Sequence, residues 1–278
     1  MPAEELLLPR SAQEAIGLLS RHGPELLVLA GGTIAMGLVN DGAIFPAQAM
    51  SLHRAGMDGM RLLDGRLEIG ATTTLDRVAN DGLPLLAGAA REVGGWAVRN
   101  RATIGGNLFA APPYGDVATA LLALDATVVI GGPDGSRTVL LEHFYRGHLE
   151  YDLGEAELVT GLTVPLPAGE TAFIKYGRRQ AAAPSVVAVA VRVAWDAGGA
   201  VAEARIALGA AGPHPLRAHG AEAALAGGPL DAESIAAAAR AAMEDCDPPG
   251  DALASAWYRR KMVGVFVRRA LERLGGVA

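Results

Sequence analysis

The chain has little of what redox and nucleic-acid proteins usually rely on. It carries one cysteine, Cys246, in 278 residues. A single thiol cannot close an intramolecular disulfide, ligate an iron–sulfur cluster or build a cysteine-based zinc site. Aromatic residues make up 5% of the chain, too few for the stacking platforms that hold single-stranded nucleic acid. Basic residues are outnumbered, 24 Lys and Arg against 30 Asp and Glu, for a formal net charge of -6. That balance argues against nucleic-acid and anionic-membrane partners, both of which recruit basic patches. No run reaches the roughly 20 apolar residues that cross a bilayer. The N-terminus, with Glu4 and Glu5, lacks the basic start and apolar stretch of a secretory signal. His143 and His148, five apart, fall on different helical faces and read as surface histidines rather than metal ligands. These absences predict a soluble, cytoplasmic protein with no nucleic-acid partner, no membrane insertion and no metal of its own.

What the chain does have is apolar residues, 51% of the total, and 36 glycines. Ser11–His22 is patterned as an amphipathic helix with Ser11 as N-cap and Gly23 as stop. Glu25–Ala30 is a short apolar run of the buried-strand kind, leading into Gly31-Gly32, with Thr33 placed to cap a helix over 34–39. Asp64-Gly65 between two short apolar runs signals a hairpin. Helices are expected over 75–80 and 84–93, the second opening at Pro84. Asp116 stands at an N-cap position before Val117–Leu124, and strands follow over 126–130 and 158–164. After the Pro/Gly-rich stretch 165–170, three strands are expected over 173–178, 186–195 and 201–209, then alanine-rich helices over 219–226, 231–243 and 256–274. A domain boundary falls near residues 166–172.

Two glycine turns carry the chemistry. A diphosphate needs several N–H donors converging with no side chain in the way, and paired glycines at a helix start supply that. Ala30-Gly31-Gly32-Thr33 has this form, and so does Thr103-Ile104-Gly105-Gly106-Asn107 about seventy residues on. Neither has the G-x-G-x-x-G spacing of the dinucleotide fingerprint or the G-x-x-x-x-G-K-[ST] loop. Asp116 has two readings, a helix cap or a carboxylate accepting from ribityl or ribose hydroxyls.

Ala30-Gly31-Gly32-Thr33, Arg99-Asn100-Arg101-Ala102-Thr103-Ile104-Gly105-Gly106-Asn107-Leu108, Pro112 and Asp116 together resemble the FAD-binding medium subunit of the molybdenum hydroxylases, the family of xanthine dehydrogenase and aerobic carbon monoxide dehydrogenase. Glu157-Leu158-Val159, Lys175-Tyr176-Gly177-Arg178-Arg179 and the closing segment Tyr258-Arg259-Arg260-Lys261-Met262 extend the resemblance over nearly the whole chain. It implies an α+β fold: a two-part FAD-binding domain of the vanillyl-alcohol-oxidase type over 1–168, with subdomains of about 1–55 and 56–168, then a small domain over 169–278 with a three-stranded antiparallel sheet and helices. It implies FAD as cofactor. Val28, Leu29, Ala30, Gly31, Gly32, Thr33, Ile34 and Ala35 would wrap the pyrophosphate, and Thr103, Ile104, Gly105, Gly106 and Asn107 would complete the cradle. Asp116 would hold hydroxyls, Val159 would offer a main-chain contact near the flavin or adenine, and Lys175 would approach the isoalloxazine edge. No catalytic acid or base is expected.

The resemblance also implies partners. A small subunit would carry two [2Fe–2S] clusters, a large subunit a molybdenum–pterin centre, and a soluble acceptor would receive the electrons. FAD suits that place because it takes electrons singly and releases them in pairs. One departure stands out: Gln180-Ala181-Ala182-Ala183-Pro184-Ser185 replaces a segment in which relatives often carry an acidic residue or Tyr over the flavin ring. The alternative is a stand-alone FAD-dependent oxidoreductase acting on its own small substrate.

Overall fold

A computed structural model describes residues 5–179 and 182–275. Gln180 and Ala181, the start of the alanine-rich departure, lie outside the described residues. Three main sheets, each with its own apolar core, follow one another along the chain, and a two-stranded ribbon, Tyr145–Gly147 with Glu150–Tyr151, lies beside them.

The first is a three-stranded parallel sheet in the order Glu5–Leu7, Gln48–Ser51, Leu27–Leu29. Helix Ala12–His22 covers it. Ser11 Oγ accepts from the Glu14 amide at 3.1 Å and Gly23 ends the helix at φ 70°, as the capping pattern predicts. Ala15, Leu18 and Leu19 pack against Met50 and Leu52. The strand expected over 25–30 is shorter and only half-buried, because Leu27–Leu29 is the sheet edge and, among the described residues, no strand pairs with its outer flank.

The second sheet is antiparallel, in the order Met60–Leu63, Arg66–Gly70, Leu158–Pro165, Thr127–Gly132, Gly135–Leu140. Asp64 and Gly65, at φ 49° and 72°, join its first two strands in the two-residue turn expected of that dipeptide. Helices Leu75–Asp81 and Pro84–Arg91 pack into its core. Helix Asp116–Ala123 is apolar apart from Asp116 and Thr119, and every one of its residues is buried. It fits where a helix needs no solvent face, between this core and the next sheet.

The third sheet is antiparallel: Glu170–Gly177, Ser185–Trp195 and Val201–Gly209. A two-residue fourth strand, Leu216–Arg217, adds to the three expected. It was too short for any alternation of side chains to announce it. Helices Ala232–Asp245 and Ala256–Gly275 cover one face. Asp125, just past helix Asp116–Ala123, accepts from Arg192 at 2.6 Å, Arg205 at 3.0 Å and Arg217 at 2.9 Å. These charge-assisted bonds tie the third sheet to the second core. Among the described residues no helix is long and apolar enough to cross a membrane.

Candidate cofactor-binding site

The two glycine turns meet. A Cβ on Gly31 would lie 1.9 Å from the Arg101 carbonyl oxygen and 2.9 Å from Ala102 Cα. The backbone of one loop therefore rests directly on the approach to the other, and only glycine fits. A Cβ on Gly106 would be 3.8 Å from that of Ala30. Gly32, at φ 73°, turns the chain out of its strand. Among the described residues the amides of Gly31, Gly32, Thr33 and Ile34 donate to no acceptor in the chain; regular helical bonding resumes with Met36 N–H to Gly32 O at 2.9 Å. Four successive open amides in a tight turn form an anion-binding concavity. Helix Ala35–Asn40 starts two residues beyond Thr33, with Ile34 at its N-cap position, so Thr33 does not cap it as expected.

The second turn is built differently. Thr103 Oγ1 caps the short helix Ile104–Leu108 by accepting from Gly106 N–H at 3.1 Å. Ile104 N–H goes to Thr73 O at 2.9 Å, Gly105 N–H to Ala71 O at 2.9 Å, and Asn107 N–H to Thr103 O at 3.0 Å. The expected second set of open amides is thus corrected: all four are spent inside the protein. A Cβ on Gly105 would stand 2.8 Å from both Cβ and carbonyl oxygen of Ala71, so this glycine answers to chain packing. Thr103 keeps a hydroxyl proton to donate. Asn107 Oδ1 accepts from Ala118 N–H at 3.3 Å, supplying the cap that one of the two readings gave to Asp116. Buried Tyr145 donates to Leu108 O at 3.1 Å, and burial pushes its phenol well above the ordinary range.

Asp116 is instead the first residue of its helix, after Gly115 at φ 98°. Its Oδ2 accepts from Lys175 Nζ at 2.7 Å and its Oδ1 from Ser185 Oγ at 2.6 Å. Lys175 also donates to Glu92 O at 2.9 Å. The two charged side chains are 7% and 8% exposed, so the pair is desolvated and neither partner can be removed alone without a penalty of about 3–5 kcal/mol. Two residues singled out separately in the sequence are therefore one unit. Val159 is buried beside a bulge in strand Leu158–Pro165. The bulge carbonyl, Thr160 O, accepts from Ala71 N–H at 3.0 Å, linking that strand to the second turn. Ala71 and Glu92 escaped the sequence reading, and Arg101 and Ser185, though inside quoted segments, were given no role there. Each acts through backbone or through a partner distant in the chain, which no local motif reports.

Residues 2–167 match the family described as the FAD binding domain in molybdopterin dehydrogenase, and residues 172–274 the CO dehydrogenase flavoprotein C-terminal domain. The carbon monoxide dehydrogenase medium chain of Hydrogenophaga pseudoflava is 32% identical over 277 residues, covering 98% of this chain and 96% of its own. The xanthine dehydrogenase FAD-binding subunit of Escherichia coli O157:H7 is 30% identical, over 93% and 91%. Among solved structures, a carbon monoxide dehydrogenase from Hydrogenophaga pseudoflava that lacks the Mo-pyranopterin moiety superposes with a TM-score of 0.94 at 33% identity, over 99% and 98% of the two chains. Quinoline 2-oxidoreductase from Pseudomonas putida 86 gives 0.91 at 28% identity, over 99% and 98%. The open amides of the first turn fit a cofactor diphosphate, and the chain belongs to the FAD-binding flavoprotein subunits of the molybdenum hydroxylases, as an oxidoreductase subunit.

Proposed function

We propose that this chain is the electron-exit subunit of a three-part enzyme. A large partner subunit would oxidise substrate at a molybdenum–pterin centre, and a small one would deliver electrons through [2Fe–2S] clusters. The chain would pass them to an external acceptor. The observation that carries this reading is the row of four open amides, Gly31 to Ile34, seated against the Arg101–Ala102 backbone. Bound there, FAD supplies the exchange between one-electron and two-electron transfer.

The protein's own residues would bind and orient. The amides and the Thr33 and Thr103 hydroxyls would donate to the diphosphate. Ala30 and Ala35 flank the turn, with Val28 and Leu29 behind it in the edge strand. The Asp116–Lys175 pair would face the ribityl chain and ring edge as a unit, with a spare carboxylate lone pair as acceptor and Nζ as donor. Val159 would contribute through its main chain. The division at residue 168 into a flavin-binding part, with subdomains of about 1–55 and 56–168, and a C-terminal domain 169–278 belongs to the same proposal. With one cysteine in the whole chain, clusters must sit on a partner.

The test is co-expression with the neighbouring frames, followed by native mass spectrometry and visible absorbance. Expected are a complex of three different chains, one FAD per copy of this chain, and flavin bleaching by substrate only when both partners are present. A purified chain that takes up no FAD overturns the binding reading. A lone homodimer that reduces its flavin with a small substrate overturns the electron-exit reading.

A further inference from the structure

Ser185, the hydroxyl partner of Asp116, has been given no role of its own so far, yet it is fixed at three points. It is 1% exposed. Its amide donates to Pro113 O at 3.2 Å, its carbonyl accepts from Arg259 at 3.0 Å, and its hydroxyl donates to Asp116 Oδ1 at 2.6 Å. Arg259, on helix Ala256–Gly275, is completely buried. The same guanidinium nitrogen also donates to Val186 O at 2.7 Å, and the other terminal nitrogen reaches Asp251 at 2.7 Å. Burial works to raise the Asp251 carboxyl, but the Arg259 bond and the amides of Ala254 and Leu253 overcome it and hold the group below its ordinary range. A buried cation from the C-terminal helix thus clamps the start of strand Ser185–Trp195, and through it a hydroxyl on the Asp116–Lys175 pair.

We infer that Ser185 is a positioning residue for Asp116, with Arg259 as its strut, so that the C-terminal domain sets the orientation of the ion pair that meets FAD. A carboxylate held on one oxygen by Lys175 retains a free torsion. The second, charge-assisted bond from a fixed hydroxyl removes it. This inference rests on the proposed place of Asp116 in the FAD site.

The test is a double-mutant cycle on the assembled enzyme, reading FAD affinity and flavin midpoint potential. Ser185→Ala weakens FAD binding about tenfold and shifts the potential. In an Asp116→Ala background, where no side-chain oxygen is left to accept from the hydroxyl, the same change has no further effect, because the residue acts through Asp116. Arg259→Lys, which keeps the charge but loses the two-carbonyl clamp, moves both readouts in the same direction by less. Additive effects, or wild-type affinity and potential in Ser185→Ala, overturn the role of Ser185, whatever happens to the melting temperature. Wild-type values in Arg259→Lys overturn the strut. If Asp116→Ala alone changes neither readout, the place of Asp116 in the site fails instead, and the two failures are told apart.

Discussion

The two glycine turns look alike in sequence and are opposites in structure. Gly31-Gly32-Thr33-Ile34, half-buried at its glycines and exposed at Thr33 and Ile34, leaves its amides open, whereas Ile104-Gly105-Gly106-Asn107 sends every amide to Thr73, Ala71 or Thr103. The first, in the function proposed, serves a ligand. The second is shaped to hold the first, since Ala102 and Arg101, just before it, form the surface on which Gly31 rests. A glycine pair therefore has two physical uses that no motif separates. It permits a ligand to approach a backbone, or it permits another backbone to approach. Deciding between them takes an account of where each N–H goes.

The largest test of that contrast is Gly31→Ala. Its Cβ would stand 1.9 Å from a carbonyl oxygen, which no rotamer relieves, so the loops must part. A loss of about 3 kcal/mol or more is expected even without FAD, a fall in apoprotein melting temperature on the order of 10 °C, together with loss of flavin. Calorimetry of the flavin-free protein measures it. A wild-type melt would mean the two turns do not touch.

The next pair sharpens the contrast. Gly105→Ala meets Ala71 at 2.8 Å, whereas a Cβ on Gly32 meets only Met36 Cγ, at 3.4 Å, with strain from its φ of 73°. Gly105→Ala should cost about 2 kcal/mol of apoprotein stability while the folded protein binds FAD as before. Gly32→Ala should cost about 1 kcal/mol yet weaken FAD binding about tenfold or more, because the open amides are re-aimed. Urea unfolding and FAD titration of both variants separate the two quantities. Equal losses of affinity would show that both turns serve the ligand directly.

What was legible in the sequence follows the same division. Local signals held: Ser11 and Gly23 bound their helix, Asp64-Gly65 made its hairpin, and the apolar run after Asp116 became a helix buried on all sides. Each of these depends on a few neighbouring residues. The family resemblance brought the right cofactor class and picked Asp116 and Lys175, but not that they pair, because residues 59 apart meet only through tertiary packing. The contacts of Ser185 and Arg259 were illegible for the same reason. The cap expected of Thr33 failed, and of the two readings of Asp116 the helix cap is not the one found. Which of several polar residues caps a helix depends on where the preceding loop lies, and here Asn107, from another helix, takes the amide of Ala118.

Thr33 gives the finest test of the comparison. If it capped its helix as the sequence suggests, Thr33→Ala would cost about 1 kcal/mol in the apoprotein. In the structure Thr33 is exposed, its hydroxyl bonds to no amide of helix Ala35–Asn40, and Ile34 occupies the cap position. The expected cost is therefore below about 0.5 kcal/mol, with a small loss of FAD affinity from one missing hydroxyl. Asn107→Ala, at a cap that does exist, should cost about 1 kcal/mol. Urea midpoints of the two apoproteins decide the matter. A Thr33→Ala loss as large as that of Asn107→Ala would mean the first turn, like the second, spends its polar groups on the fold, and the contrast between the two loops would collapse.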